Sequence, residues 1–431
     1  MIAEDEADTG RRAETARVMN RWIVVVGALS IQLALGAVYA FSIFTSPLSD
    51  TLGYDSKSLH ILGIFSASIA VFAVTMIVAG RMQDRKGPRL VATVGGLTYG
   101  AGYVLASFST DSLAMMYVSY GGISGVGLGL GYVCPLAAAV KWFPDKKGLV
   151  AGIAVAGFGA GAFIFTQVGN WMIDSPSFGL SDAFLFLGVI FAMMVVGGAQ
   201  LLRDPPSGWL PKGYVTPVNH GRHNGEFEWR EMIRTRQFFM LFSMFLLSAT
   251  AGLMMIANVK NIAQYLDTTG SLLVVAQFQT IAGVIALLNG VGRIAWGKIS
   301  DMLGRANTMK AMFFVQTMIL FAAAGFLAVR PSGEIVQFAG LTVLASAVGF
   351  TFGGNFALFP STTAEYFGTK NLGMNYGLVF NGYGAAGVVG GLIPGLMAGA
   401  EHGFVWVFVA IGVASLASFL LAVMVRPPKK D

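Results

Sequence analysis

Charged residues are scarce in this sequence of 431 residues. Asp, Glu, Lys and Arg make up 12% of it, against roughly 25% in an average soluble domain. Hydrophobic residues make up 55%, more than a single soluble core of this size can enclose. The scarcity of charge therefore excludes an ordinary soluble protein and indicates one that lies largely in a membrane.

Metal-binding and catalytic side chains are equally scarce. The one cysteine, Cys134, excludes an intramolecular disulfide and makes a cysteine-based metal site implausible. No Asp or Glu lies well inside an apolar stretch, and the four histidines stand in loops or at the ends of such stretches: His60, His220, His223 and His402. An intramembrane enzyme would need a buried carboxylate pair or a Ser-His-Asp set. We expect no enzymatic activity, no cofactor and no metal.

Long apolar stretches are abundant instead. Each is about 20 residues long, enough to cross ~30 Å of hydrocarbon as a helix. The stretches are continuously apolar rather than alternating, which favours helices. We predict an all-α membrane protein with twelve transmembrane helices, at residues 21–44, 59–80, 90–108, 112–140, 148–173, 182–202, 237–259, 273–297, 309–329, 335–358, 372–397 and 403–425.

The positive charges predict the topology. If the N-terminus is inside, 24 of the 28 Lys and Arg fall at cytoplasmic ends or loops, as the positive-inside rule requires. We therefore expect both termini in the cytoplasm, a cleaved signal peptide to be absent, and a multi-pass protein of a plasma membrane of the bacterial inner-membrane type. The net charge of +6 is explained by this placement, so the lipid bilayer is the expected partner and nucleic acid is not.

The longest polar stretch divides the predicted spans six and six. We predict a cytoplasmic tail at 1–20, a first bundle at 21–203, a central cytoplasmic loop at 204–236, a second bundle at 237–425 and a short tail at 426–431. The end of the loop, EFEWREMIRTRQ, could form an amphipathic helix with Phe227 and Trp229 towards lipid. The alternative is an ordinary solvated linker.

The two halves repeat each other, which is the mark of an internal duplication. GRMQDRKGPR, residues 80 to 89, follows the second span, and GKISDMLGR, residues 297 to 305, follows the eighth. A second pair, WFPDKKGLVAG at 142 to 152 and YFGTKNLGMNYG at 366 to 377, opens the fifth helix of each half. Two such pairs in corresponding order predict two pseudo-symmetric six-helix bundles.

At these motifs the sequence resembles the major facilitator superfamily, over essentially its whole length. GRMQDRKGPR is similar to the signature loop of that family, with Pro88 as a departure. Such loops imply a cytoplasmic latch, in which the acidic residue interacts with the N-terminal end of a neighbouring helix; solvated topology charges are the alternative. The predicted latch residues are Gly80, Asp84, Arg85, Gly87 and Arg89 in the first half and Gly297, Asp301 and Arg305 in the second.

More narrowly, the sequence resembles the oxalate/formate antiporter and monocarboxylate porter branch. The stretches that carry this resemblance are GAVYAFSIFTSPL, GVGLGLGYVCPLAAAVKWFPDKKG, WREMIRTRQF, NGVGRIAWGKISD and NYGLVFNGYGAAG. The glycine strings in the fourth and fifth spans predict close helix packing. The resemblance implies a carrier that binds its substrate between the two halves.

Arg293 is the one charge well inside a predicted span, and an unpaired charge there costs at least ~2.5–3.5 kcal/mol. Its planar fork suits a carboxylate, to which it can donate two parallel hydrogen bonds. The alternative is that Arg293 extends to the cytoplasmic headgroups. Asn289 lies one turn earlier on the same helix face and is either a second substrate contact or the donor of an interhelical hydrogen bond.

The resemblance adds three tyrosines to the predicted substrate site. Tyr39 and Tyr132 stand where the family places site tyrosines in helices one and four, although many membrane tyrosines are interfacial anchors. Tyr383 stands where oxalate-transporting relatives carry a lysine. One arginine neutralises a monoanion but not a dianion, and residual buried charge is costly. We therefore expect a monocarboxylate of the lactate or pyruvate type rather than oxalate.

Together these features predict a secondary active transporter, most simply a monomer, that works by alternating access with a proton as co-substrate. Animal porters of this branch carry an Asp where this sequence has Asn289, so the carrier of the proton is open. The alternatives are an oxalate/formate-type anion exchanger, a transporter-like receptor that does not translocate, and a channel, against which the paired loops argue.

Overall fold

The computed structural model describes residues 19–54, 59–206, 209–211, 213–214, 225–266, 278–397 and 403–429. These ranges contain twelve long helices and no strand. In chain order the helices are α1 Trp22–Leu52, α2 Leu59–Lys86, α3 Pro88–Ser107, α4 Leu113–Trp142, α5 Lys147–Asp174, α6 Leu180–Leu201, α7 Arg236–Leu266, α8 Phe278–Leu303, α9 Arg305–Val329, α10 Glu334–Phe367, α11 Leu372–Met397 and α12 Gly403–Met424.

The predicted all-α membrane class is confirmed. Eleven of the helices, all but α11, are long and apolar enough to cross a membrane, and α11 occupies the eleventh predicted span, 372–397. Several helices run beyond the predicted limits. α2 continues from the predicted residue 80 to Lys86, and α10 continues from residue 358 to Phe367, because backbone hydrogen bonding continues where the side chains become polar.

Two helices change their winding within the first half. The middle of α1 is a 3₁₀ helix at Ala37–Phe44, and α4 contains a π-helical segment at Tyr117–Ser124. The two segments touch, since the Tyr120 hydroxyl donates to the Val38 carbonyl at 3.4 Å. Such irregular turns often occur at functional sites, and both lie in helices that contribute predicted site tyrosines.

Glycine allows the closest helix contacts, as the glycine strings predicted. A Cβ added to Gly161 of α5 would lie 1.9 Å from the Leu33 carbonyl oxygen of α1. A Cβ on Gly127 of α4 would lie 2.2 Å from the Tyr99 amide nitrogen of α3. Since no side chain fits at these distances, glycine fixes how closely the helices of the first half approach.

Two helix pairs make most of the contact between the first six helices and the last six. α5 packs along α8, and α2 packs along α11. Both pairs meet closely at glycines: a Cβ on Gly80 of α2 would lie 2.1 Å from the Gly373 carbonyl oxygen, and a Cβ on Gly297 of α8 would lie 2.2 Å from the Gly148 carbonyl oxygen. These contacts lie where α2 and α8 end and where α11 and α5 begin. We call this end of the bundle the seam.

The end of the central loop packs on the second half, not on lipid as the amphipathic-helix interpretation expected. Its helical part is only one turn, Trp229–Met232. The Phe227 side chain is 4% exposed and packs edge-on against Phe367, with ring centroids 5.5 Å apart. The Phe227 amide donates to the Phe367 carbonyl at 3.0 Å. The expected position of Phe227 towards lipid was therefore wrong, because its ring packs on Phe367 at the end of α10 instead.

Candidate functional site

Arg293 lies on α8 with 1% of its surface exposed. Its Nε donates to Asn289 Oδ1 at 3.0 Å, and its Nη1 donates to the Val155 carbonyl of α5 at 2.5 Å. The guanidinium thus points across the interface between the halves, and the structure does not show the alternative in which it reaches the headgroups. Among the described residues, Nη2 has no hydrogen-bond partner.

The surroundings of Arg293 are aromatic rather than acidic. The guanidinium carbon lies 4.4 Å from the ring centroid of Phe356 and 5.7 Å from that of Phe158. In the part of the chain that the structure describes, no Asp or Glu pairs with it. Two rings can stabilise a cation by roughly 1–4 kcal/mol in total, but they leave its net charge unchanged.

Asn289 lies beside Arg293, as its spacing predicted, but both ends of its amide are occupied. Its Oδ1 accepts from the Arg293 Nε, and its Nδ2 donates to the Gly349 carbonyl of α10 at 3.3 Å. The amide therefore forms the interhelical hydrogen bond that was the alternative to a substrate contact. This geometry fixes the orientation of the guanidinium fork.

The three predicted tyrosines converge on the same guanidinium from three helices. Tyr39 of α1, Tyr132 of α4 and Tyr383 of α11 all lie within electrostatic range of Arg293. The hydroxyls of Tyr39 and Tyr383 are hydrogen-bonded to each other across the two halves. The ring of Tyr383 packs on Phe356, with centroids 5.3 Å apart, so the aromatic wall is continuous from Arg293 to this pair.

A fourth tyrosine, Tyr376 of α11, also lies within electrostatic range of Arg293. It is buried, with 1% of its surface exposed. Sequence reasoning missed it, although a signal was present: Tyr376 and Tyr383 are seven residues apart, or about two helical turns, and so lie on one face of α11. The four tyrosines and Arg293 form what we call the tyrosine site.

The paired loops meet the opposite half in the same way. The Asp84 carboxylate accepts from the Gly373 and Met374 amides of α11, at 3.0 and 2.8 Å. The Asp301 carboxylate accepts from the Gly148 and Leu149 amides of α5, at 2.9 and 2.8 Å. Each acid therefore caps the N-terminal end of a helix in the other half, where free amides and the helix dipole favour a negative charge.

Backbone conformation is also repeated in the two loops. Gly87 has φ 83° and ψ 161°, and Gly304 has φ 81° and ψ 155°. Only glycine adopts this region readily, which explains the glycine in each motif. Each turn leads directly into the following helix, α3 or α9.

The loops differ in their arginines. Arg305 pairs with Asp301 at 2.7 Å and with Glu365 at 3.3 Å. The equivalent position after Gly87 is Pro88, and no ion pair to Asp84 forms within the described residues. Arg89 donates instead to the Gln200 carbonyl of α6 at 2.6 Å. Arg85 lines a cavity of about 320 Å³ beside the seam, together with Trp229 and Arg230.

Two helical halves that enclose a buried cation and meet at a repeated seam are typical of membrane transporters, in which the substrate binds between the halves. The chain belongs to the Major Facilitator Superfamily, whose family model matches residues 26–378. This confirms the resemblance and the expected fold, and the relatives and the fold are those of transporters rather than enzymes. In the described residues no group of His, Cys, Asp and Glu could hold a metal ion.

Two relatives and one solved structure are similar to this chain over most of its length. The oxalate:formate antiporter of Oxalobacter formigenes is 30% identical over 416 residues, covering 96% of this chain and 93% of the relative. Apicoplast pyruvate carrier 1 of Toxoplasma gondii is 26% identical over 393 residues, covering 79% and 70%. The solved structure of the proton:xylose symporter XylE superimposes with a TM-score of 0.69 at 14% identity, covering 95% of this chain and 96% of XylE; it shows the shared fold alone.

Proposed function

We propose that the protein is a secondary active transporter of small monocarboxylates of the lactate and pyruvate type. The observation that carries the proposal is the buried Arg293, whose charge no described carboxylate compensates. A buried uncompensated charge is costly, and an anionic ligand removes that cost by completing the ion pair. A protein that keeps such a cation between two mobile halves is suited to bind and release an anion.

The geometry favours a carboxylate among anions. Asn289 and Val155 orient two of the three guanidinium nitrogens, and Nη2 remains available. A carboxylate can accept from Nη2 and from the remaining hydrogen of Nη1 in the parallel, two-bond arrangement of arginine pairs. In this proposal Asn289 positions Arg293, and Phe158 and Phe356 form the apolar walls against which a short carbon chain packs.

One guanidinium also suits a single negative charge. The resemblance places Tyr383 where oxalate transporters carry a second cation, and its hydroxyl is bonded to Tyr39. A bound monocarboxylate leaves the tyrosine site neutral, whereas a dicarboxylate leaves it at −1 in a poorly solvated place. The Toxoplasma relative is named for pyruvate, a monocarboxylate, which supports this proposal. The Oxalobacter relative is named for oxalate, a dicarboxylate, together with formate.

Alternating access fits the seam. We propose that the Asp84 and Asp301 contacts form the latch at the cytoplasmic ends of the helices, with both chain termini on the same side of a bacterial inner membrane. These contacts connect the halves on one side of the tyrosine site, and the Tyr39–Tyr383 hydrogen bond connects them at the site itself. Breaking the seam contacts would let the halves rock open towards the cytoplasm.

A proton is the expected co-substrate, and anion exchange is the second candidate. The observation that favours exchange is Asn289: it cannot titrate and is already bonded at both ends. Uptake of labelled lactate into liposomes that contain the purified protein separates the two. Uptake driven by an inward proton gradient supports symport, and uptake only with unlabelled acid inside supports exchange. Absence of uptake under both conditions would refute the carrier proposal.

Arg293→Lys tests the anchor itself. Lysine keeps the charge but lacks the planar fork. It cannot donate to Asn289 and Val155 and at the same time form two parallel hydrogen bonds to a carboxylate. We expect lactate uptake to fall at least tenfold, since the loss of one charge-assisted hydrogen bond is worth ~1.5–3 kcal/mol, while the protein still folds. Arg203→Lys, at an exposed arginine, is the matched control. Unchanged uptake by Arg293→Lys would contradict the assignment.

A further inference from the structure

The tyrosine site contains two buried hydroxyls that make no well-formed hydrogen bond within the described chain. Tyr132 and Tyr376 are each 1% exposed. Their hydroxyls lie close enough to interact with each other, but neither phenolic oxygen makes a hydrogen bond of normal geometry to a described residue. Burying a hydroxyl without a partner is costly, so buried hydroxyls are nearly always bonded. Two such groups beside one cation indicate a place where a ligand oxygen is bound.

The two rings come from opposite halves and flank the same phenylalanine. The centroid of Phe380 lies 5.2 Å from that of Tyr132 and 5.7 Å from that of Tyr376. Tyr132 also packs edge-on against Phe158, at 5.5 Å, and Phe158 lies beside the Arg293 guanidinium. Both tyrosines are within electrostatic range of Arg293. The two hydroxyls are therefore neighbours of the carboxylate position, and Phe158 links the ring of Tyr132 to the guanidinium.

The other two tyrosines serve as a contrast. The hydroxyls of Tyr39 and Tyr383 satisfy each other, so they have less capacity for a ligand. The site thus has one cationic fork for a carboxylate and one separate pair of phenols, whose hydroxyls lie near each other without a well-formed hydrogen bond. An acid with no other polar atom would use the fork and leave both phenols unsatisfied.

We propose that Tyr132 and Tyr376 form a subsite for the oxygen on carbon 2 of a 2-oxo or 2-hydroxy acid whose carboxylate lies on Arg293. The proposal rests on the proposed function and adds the residues that recognise the second oxygen of its substrate. A phenol can donate to a keto oxygen, and it can both donate to and accept from a hydroxyl. A site with donors for a ligand oxygen rejects analogues that lack that oxygen, because its own buried groups then stay unpaired.

The test compares lactate with propionate, which has the same carbon skeleton without the hydroxyl. Equilibrium binding to the purified protein gives the ratio of the two dissociation constants. We expect the unmodified protein to bind lactate roughly 10- to 100-fold more tightly, as one or two hydrogen bonds imply. Tyr376→Phe removes one oxygen and should reduce this ratio about tenfold, with propionate binding unchanged. Tyr99→Phe removes another buried phenol, in α3, and should leave the ratio unchanged.

The outcomes separate this subsite from the proposed function. If neither acid binds the unmodified protein, the proposed function fails before any variant is measured. If both acids bind equally, or if Tyr376→Phe weakens the binding of both to the same extent, the subsite is refuted. The proposal that Arg293 binds the carboxylate is not affected by that result. Should Tyr376→Phe not fold in thermal melting, Tyr132→Phe removes the partner hydroxyl and gives the same comparison.

Discussion

Replacing Asp84 with asparagine tests whether the seam is a latch. The carboxylate of Asp84 accepts from the Gly373 and Met374 amides, at 3.0 and 2.8 Å, and so joins α2 to the start of α11. Asparagine keeps the size and one acceptor oxygen but loses the second acceptor and the charge. One of the two amides, that of Gly373 or that of Met374, then has no acceptor while the halves are joined. When the halves part, water can accept its hydrogen bond.

The expected shift follows from the lost bond. A hydrogen bond to a charged acceptor contributes about 1.5–3 kcal/mol, and 1.4 kcal/mol corresponds to a factor of ten. Asp84→Asn should therefore change the ratio of seam-open to seam-closed molecules by roughly 10- to 100-fold in favour of the open form. Since no described ion pair supports Asp84, whereas Arg305 supports Asp301, little else compensates for the loss within its loop.

Distances between spin labels measure this ratio. Lys146 and Met302 belong to different halves and have exposed side chains, and replacing Cys134 with alanine gives a cysteine-free background. We expect Asp84→Asn to increase the population at long distances. Asp182→Asn is the matched control, because Asp182 accepts from the Gly179 amide at 3.1 Å within the first half. Identical distance distributions for Asp84→Asn and the unmodified protein would refute the latch.

Two further predictions concern glycines. A Cβ on Gly353 would lie 2.1 Å from the Asn289 carbonyl oxygen; we expect Gly353→Ala to destabilise the protein by about 1–3 kcal/mol and to reduce lactate uptake. Gly325, with nothing within 4 Å, is the control, and its alanine variant should not lose thermal stability in detergent. Gly304 also has open space but a φ of 81°, so Gly304→Ala should cost about 1–3 kcal/mol through the backbone alone; an unchanged melting temperature would contradict this.

Most of the fold could be predicted because a bilayer restricts the chain to helices that satisfy their own hydrogen bonds. Continuous apolar runs then mark each span. The limits of α1 could not be predicted, since hydropathy falls in the polar stretch after Phe44 while the helix continues to Leu52. The 3₁₀ and π-helical segments also leave no periodic signal, because each shifts the register by less than one turn.

The parts of the site that lie on one helix could be predicted from the sequence. Arg293 and Asn289 are one turn apart on one helix, so their contact follows from spacing. Tyr376 escaped notice because its importance depends on which groups surround it. A tyrosine in an apolar helix is ordinary unless its hydroxyl lies beside that of Tyr132 without a well-formed hydrogen bond. The engagement of Asn289 with Gly349 of α10 is likewise a contact between helices, which spacing within α8 does not contain.

The charge of the tyrosine site bears on how transport is driven. With the guanidinium of Arg293 uncompensated by the described residues, the site carries +1 when empty and is neutral with a monocarboxylate bound. A desolvated net charge is costly, so closure of the halves around the site is favoured when the anion is present. An exchanger moves only in that loaded state, whereas a symporter must also return empty. A carboxylate in place of the Asn289 amide would neutralise the empty site and carry the proton. Because the chain has the amide, proton-driven uptake requires a titratable group outside the tyrosine site.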